Sequence, residues 1–220
     1  MNTETESDVK KTSEKFWPVL KHWLAAFLVA GALLWLNDRF IFESVEITSS
    51  SMRPTLLPNE RAYLQRLGVG PWRRFDVVVI NSRVLKHRIV KRIIGLPGDT
   101  VRLEIGCHVF VNGEEYEHDN QGHPESYTVL EVAPTGEDHE IQLKTNPKIP
   151  TFETRYGKTD LKLGPDEFYV LGDNRLASED SRYFGVVKRN ELQGRLRMIW
   201  YSLDLKTGHF RWDRVGTAIQ

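Results

Sequence analysis

Residues 75–80 read Phe-Asp-Val-Val-Val-Ile, and residues 87–99 read His-Arg-Ile-Val-Lys-Arg-Ile-Ile-Gly-Leu-Pro-Gly-Asp. The first is a β-branched run and predicts a strand. The second predicts another, which Gly95-Leu96-Pro97-Gly98-Asp99 ends as a turn. Val109-Phe110-Val111 followed by Asn112-Gly113 reads as a strand entering a type I′ hairpin, a turn that requires two positive φ angles. Phe168–Leu171 and Arg197–Tyr201 are further short strands. No long stretch carries strong helical periodicity, so residues 37–220 read as one mainly β domain of antiparallel sheet. Within it, residues 114–160 are polar and turn-rich, and predict an elaborated loop or small lobe.

The strand at 87–94 holds an unusual choice. With a period of two, Ile89, Lys91 and Ile93 share one face, and Arg88, Val90 and Arg92 share the other. If the first face is buried, desolvation disfavours the Lys91 ammonium and lowers its pKa. A neutral lysine is a general base, able to deprotonate a serine without a histidine. If the face is an exposed edge, Lys91 is a solvated gatekeeper. The pattern admits both.

Composition narrows the function classes. The 220 residues carry 30 basic and 30 acidic side chains, so no basic excess advertises a nucleic-acid surface. One cysteine, Cys107, excludes an intrachain disulfide framework and a multi-cysteine zinc site, and is expected to be a small buried residue. His118 and His123 flank a loop with no second close ligand. Neither G-x-S-x-G nor H-E-x-x-H is present. Ser7-Asp8-Val9-Lys10 has the S-x-x-K spacing, but it lies in a polar tail where nothing desolvates the lysine.

That tail, residues 1–15, precedes an apolar stretch. Trp23 to Leu36 holds no charged or polar side chain: 14 residues, or about 21 Å of helix. Adding Phe16–Leu20, with Lys21 and His22 snorkelling, approaches a hydrocarbon core of roughly 30 Å. Trp17, Trp23 and Trp35 sit where interfacial anchors belong. A buried core helix would carry a polar stripe, and this one has none. Ala30-Gly31-Ala32 mimics a signal cleavage site, yet the apolar run continues past it. Residues 16–36 are therefore expected to be a single retained transmembrane signal-anchor, with residues 1–15 cytoplasmic and residues 37–220 outside.

Three further segments complete a pattern. They are Ser49-Ser50-Ser51-Met52-Arg53-Pro54-Thr55-Leu56, then Lys91-Arg92-Ile93-Ile94-Gly95-Leu96-Pro97-Gly98-Asp99, then Gly172-Asp173-Asn174-Arg175 through Ser178, Asp180, Ser181, Arg182 and Tyr183. In this order after an N-terminal anchor, with Val111-Asn112-Gly113 between, they resemble the type I signal peptidases, membrane-anchored serine proteases that remove signal peptides from exported proteins. The resemblance spans roughly residues 16–203. It implies Ser51 as nucleophile and Lys91 as general base, a variant of the histidine triad. It also implies the Ser51 N–H and Ser49 hydroxyl as oxyanion hole, and Ser178 as the hydroxyl that orients the lysine. Asp173, Asp180, Arg182 and Arg92 match supporting polar residues, for which a structural salt-bridge role and a catalytic one stay open.

Further expectations follow from the same likeness. The substrate is a secretory preprotein, held as an added β-strand and cut after an Ala-x-Ala site. Ile47 and Val79, with Ala62 beside them, are the expected pocket lining. No cofactor or metal is needed, the enzyme is a monomer in the bacterial inner membrane with its catalytic domain on the periplasmic face, and Trp200, Phe210 and Trp212 touch lipid or fill the core. Thr48 stands where the family usually has proline, Ser50 where glycine is frequent, and Leu176-Ala177 replaces a more polar pair. Three rivals differ in testable ways: a conjugative-transfer peptidase with a dedicated pilin substrate, an autoproteolytic repressor, which would need a DNA-binding head, and a tethered β-domain that only binds.

Overall fold

The computed structural model describes residues 20–32, 42–66, 70–104, 107–119, 128–143 and 160–219. The chain divides into two units, Met1–Phe42 and Glu43–Gln220. In the first, residues 20–32 form helix α1, with Trp23, Leu24, Phe27, Leu28 and Val29 exposed. Among the described residues no helix is long and apolar enough to cross a membrane. Both ends of the expected 16–36 span, Trp17 and Trp35 with them, lie outside the described residues, as do Ser7–Lys10 and His123.

The second unit is built of strands. They run β1 (Phe42–Ile47), β2 (Glu60–Gln65), β3 (Val77–Asn81), β4 (Arg88–Gly95), β5 (Thr100–Leu103), β6 (Val109–Val111) and β7 (Glu114–Glu115). Then come β8 (Glu117–Asp119), β9 (Thr128–Val132), β10 (Asp138–Gln142), β11 (Leu161–Lys162) and β12 (Glu167–Leu171). A one-turn helix α2 (Ser181–Phe184), β13 (Val187–Lys188) and the long β14 (Leu192–Ser202) finish the order. The main sheet has seven strands in the order β1-β2-β14-β3-β4-β12-β13. Smaller sheets follow the orders β10-β9-β8 and β11-β5-β6-β7. The segment 114–160 thus contributes strands of its own.

The two strands read first hold the centre of the sheet. Val77, Val78, Val79 and Ile80 of β3 are all buried, because both faces are covered. One face joins Val77 and Val79 to Ile47, Ala62, Leu64 and Ile199, and the other joins Val78 and Ile80 to Ile93, Phe168 and Val170. A fully covered strand reads as a continuous apolar run, which is why this one was legible. Phe75 stands apart with φ of 67°, in the turn that precedes β3.

Gly95 does not open the turn after β4 but ends the strand opposite Tyr169. A Cβ there would lie 2.7 Å from Leu163 and Val101, so close packing demands the glycine. The hairpin between β6 and β7 has the expected geometry, with φ of 56° at Asn112 and 89° at Gly113. β14 extends well beyond the expected Arg197–Tyr201, its first half crossing β3 and most of its length pairing with β2.

Two features of the main sheet prepare the site. β3 pairs with β4 from Arg88 to Arg92, whereas β12 pairs with β4 only at Arg92, Ile93 and Gly95. Among the described residues the first half of β4 therefore has one edge without a strand, and β1 is the terminal strand of the order. The sheet also curls, since Glu43 on β1 bonds Arg88 on β4 at 2.7 Å although three strands separate them in the order. The unpaired edges of β1 and β4 thereby approach each other.

Candidate active site

Ser51 lies in a turn four residues past β1. Lys91 lies on β4 where the unpaired half ends. The curl of the sheet brings them together, and Lys91 Nζ donates to Ser51 Oγ at 2.8 Å. Lys91 is 3% exposed, which excludes the solvated-edge arrangement. Burial lowers its pKa to about 8, with Asp180 and then Asp173 opposing the shift from a distance. No carboxylate among the described residues forms an ion pair with it. The amine is thus close to releasing its proton near neutral pH, in contact with a hydroxyl.

The turn is held from the other side. Asn174 N–H donates to Ser51 O at 3.0 Å, and Asn174 Nδ2 donates to Ser50 O at 3.1 Å. Ser50 has an ordinary negative φ, so the serine that replaces the frequent glycine is not strained. Ser49 Oγ lies 3.1 Å from Ser51 Oγ, and Ser51 N–H donates to it at 3.4 Å. The Ser51 amide and the Ser49 hydroxyl thus bond each other beside the Ser51 oxygen. Gly172 is fixed by this crowding: a Cβ would lie 2.1 Å from Ser178 Oγ and 2.5 Å from Ser51 O.

Ser178 is buried against Gly172, but among the described residues its hydroxyl has no hydrogen-bond partner, the lysine amine included. The expected orienting bond is therefore not formed here, and the Lys91 amine has Ser51 as its partner. The four supporting residues form two separate bidentate pairs. Arg92 donates to Asp173 at 2.8 and 2.7 Å, and to Phe75 O at 2.9 Å. Burial alone would raise the Asp173 carboxyl, yet the Arg92 guanidinium holds it below the usual carboxylate range, helped by Thr55 at 2.5 Å. Asp180 accepts from Arg182 twice at 2.8 Å, caps α2, and accepts from Gly172 N–H at 2.9 Å. Among the described residues neither pair makes a hydrogen bond to Ser51 or Lys91, while Asp180 and Asp173 act on the Lys91 amine through their charge.

Ile47, Val79 and Ala62 do come together, packed with Met52 in one cluster. Their exposures are 3%, 0% and 0%, so none presents an open wall to a ligand here. Sequence reasoning missed Val45 and Val90, the partly buried residues at the margin of that cluster on β1 and β4. It also gave no role to Asn174, although it quoted the segment. Cys107 is partly buried rather than buried, with φ of 69°. Trp200 and Phe210 are partly buried and Trp212 is 76% exposed, the three linked through ring contacts with Tyr63, Tyr201 and each other.

A serine hydroxyl in contact with a buried, readily discharged amine defines a site able to do acyl transfer with lysine as base. Residues 20–201 match the family described as "Signal peptidase, peptidase S26". "Signal peptidase I P" of Bacillus subtilis subsp. natto is 31% identical over 83% of this chain and 89% of its own length. "Signal peptidase I" of Bacillus caldolyticus is 33% identical over 85% and 90%, and "Probable signal peptidase I-2" of Synechocystis 34% over 87% and 79%. The chain belongs to the signal peptidase family, peptidase S26, and is a serine endopeptidase of that family.

Proposed function

We propose that Ser51 and Lys91 form the catalytic dyad of this peptidase, and that its substrates are exported preproteins cut at the end of their signal peptides. The observation that carries this reading is the 2.8 Å contact between Ser51 Oγ and a lysine amine that burial has brought to a pKa of about 8. With the amine neutral, the bond reverses: Ser51 donates its proton to Nζ as Oγ attacks the scissile carbonyl. The carbonyl oxygen, now an anion, takes bonds from Ser51 N–H and Ser49 Oγ–H. The C–N bond then breaks, the leaving amine takes the proton from Lys91, and an acyl-enzyme remains. Water, deprotonated by Lys91, then attacks the ester, and Lys91 returns that proton to Ser51 Oγ as the acid is released.

The unpaired edges of β1 and of Arg88–Val90 support an added-strand mode of binding, with backbone bonds on both sides of the substrate. Small side chains of an Ala-x-Ala site would then rest against Val45 and Val90, above the buried Ile47, Met52, Ala62 and Val79. In this reading residues 16–36 anchor the enzyme in the bacterial inner membrane, residues 1–15 are cytoplasmic and the catalytic unit works as a monomer on the outer face. The exposed Trp212 and its neighbours Phe210 and Trp200 would meet lipid headgroups.

The test is cleavage of a signal-bearing preprotein by the detergent-solubilised full chain, with the cut bond read by mass spectrometry. Cleavage after Ala-x-Ala, lost in both Ser51→Ala and Lys91→Ala, supports the dyad. Survival of cleavage in Lys91→Ala would move the base elsewhere.

A further inference from the structure

The small sheet β10-β9-β8 carries a charge that the proposed mechanism does not use. Glu131 sits at an inward position of β9, fully buried, between partly exposed Leu130 and Val132. Both of its oxygens accept from Arg175, Nη1 to Oε1 at 2.5 Å and Nη2 to Oε2. Arg175 is 1% exposed. Burial by itself would raise the Glu131 carboxyl, and Arg175 instead holds it far below the usual carboxylate range. His118 Nε2 and His139 Nε2 each lie 3.3 Å from the carboxylate, and burial keeps the His139 ring neutral, with a pKa of about 3. The carboxylate therefore has one permanent cation to hold, and that cation is Arg175.

Arg175 follows directly on Asn174, the residue whose amide and side chain grip the carbonyls of Ser51 and Ser50. The same short segment is tied to β10 by its backbone: Gln142 N–H donates to Asp173 O at 2.8 Å, and Arg175 N–H to Gln142 O at 3.2 Å. The path from Glu131 to the nucleophile is thus an ion pair, one peptide unit and two hydrogen bonds. Each link is buried or partly buried. Removing the negative charge would leave a guanidinium without its counter-ion inside the protein, a state that rearranges. The first thing it would pull on is Asn174.

We propose that Glu131 is a positioning residue for catalysis: through Arg175 it fixes Asn174 and so sets the place of Ser51 against Lys91. The small sheet is then part of the catalytic apparatus and not an ornament on it. This rests on the dyad reading above for its kinetic consequence but not for its geometry. Displacing a nucleophile by about 1 Å can lower turnover by about 100-fold. The substrate-binding edges of β1 and β4 are elsewhere, so binding is spared.

The experiment compares the full chain with Glu131→Gln, Glu131→Asp, Asn174→Ala and the Glu131→Gln/Asn174→Ala double variant. Turnover and KM are measured on a preprotein, and amide exchange of residue 174 by hydrogen–deuterium exchange. The expected result for Glu131→Gln is a kcat lower by about 10–100-fold with KM within about threefold, and faster exchange at Asn174. Glu131→Asp should recover part of the kcat. The double variant should lose less than the product of the two single losses, because the changes share one path while Asn174→Ala leaves the amide hydrogen bond to Ser51 in place. A Glu131→Gln enzyme that melts earlier but keeps its kcat per folded molecule, or additive losses in the double variant, would overturn the proposal. If Glu131→Gln does not fold, Glu131→Asp against Asn174→Ala decides by the same non-additivity. A wild-type chain that cleaves no preprotein would sink the dyad reading alone. The exchange at Asn174 would then still decide the positioning claim, and unchanged exchange would refute it.

Discussion

Lys91 and Arg92 are neighbours on β4, both cationic and both buried, yet their surroundings are opposite. Arg92 has a carboxylate in bidentate contact, a backbone carbonyl and the Thr55 hydroxyl. Among the described residues Lys91 bonds one hydroxyl, that of Ser51. The strand's alternation sends the two side chains to different sides, and among the described residues only Arg92 has an aspartate within hydrogen-bonding distance. A buried cation with its counter-ion becomes framework, because breaking the pair is expensive. A buried cation without one is driven toward its neutral form, which is what a base requires.

The sharpest way to break this contrast is Lys91→Met, which keeps the length and removes the amine. Preprotein cleavage should fall about 10²–10⁴-fold, the range for loss of a general base. A fall of less than threefold would remove Lys91 from the mechanism. On the other side, Asp173→Asn strands the Arg92 charge and should destabilise the fold by about 3–5 kcal/mol, measured by urea unfolding at pH 7. A loss below about 1 kcal/mol would mean that Arg92 finds another partner.

Lys91→Met should move stability the opposite way. The folded pKa of about 8 lies below the ordinary 10.5, so the native state binds protons less well than the unfolded chain. That penalty is complete below pH 8 and fades as pH rises toward 10.5. At roughly 1.36 kcal/mol per pH unit, the methionine variant should gain about 3 kcal/mol at pH 7 and little at pH 10.5. Unfolding curves at the two pH values check it; an unchanged midpoint at pH 7 would show that the lysine bears no desolvation penalty. The smallest effect is in wild-type activity. Turnover should rise about tenfold from pH 6 to 7, level off above about 8, and lose this dependence if another group is the base.

Parts of this arrangement were legible early. The apolar run Val77–Ile80 and the pair Asn112-Gly113 gave their strand and turn without ambiguity, since local sterics decide both. Lys91 between Ile89 and Ile93 was visible as an oddity, but alternation alone left open whether the face was wet. Glu131 was an oddity of the same kind, an acid on the inward side of Thr128–Val132. Sequence hides it because Thr128–Val132 is a short run inside the polar, turn-rich 114–160 segment. Ser178 was placed at the site by resemblance, while its bond to the lysine was not formed. Ile47, Ala62 and Val79, expected to line the substrate pocket, lie together in the buried core.

The sequence by itself determined the strand-rich class, the hairpin, the unusual lysine and the family likeness. These depend on neighbours within a few residues, or on spacing along the chain. What only the tertiary structure decided is which buried charges are paired. Ser51 and Lys91 stand 40 residues apart, Arg92 and Asp173 stand 81, and Arg175 and Glu131 stand 44. Burial and Coulomb attraction act through space, so the same cation becomes a base or a rivet according to what the curl of the sheet sets beside it.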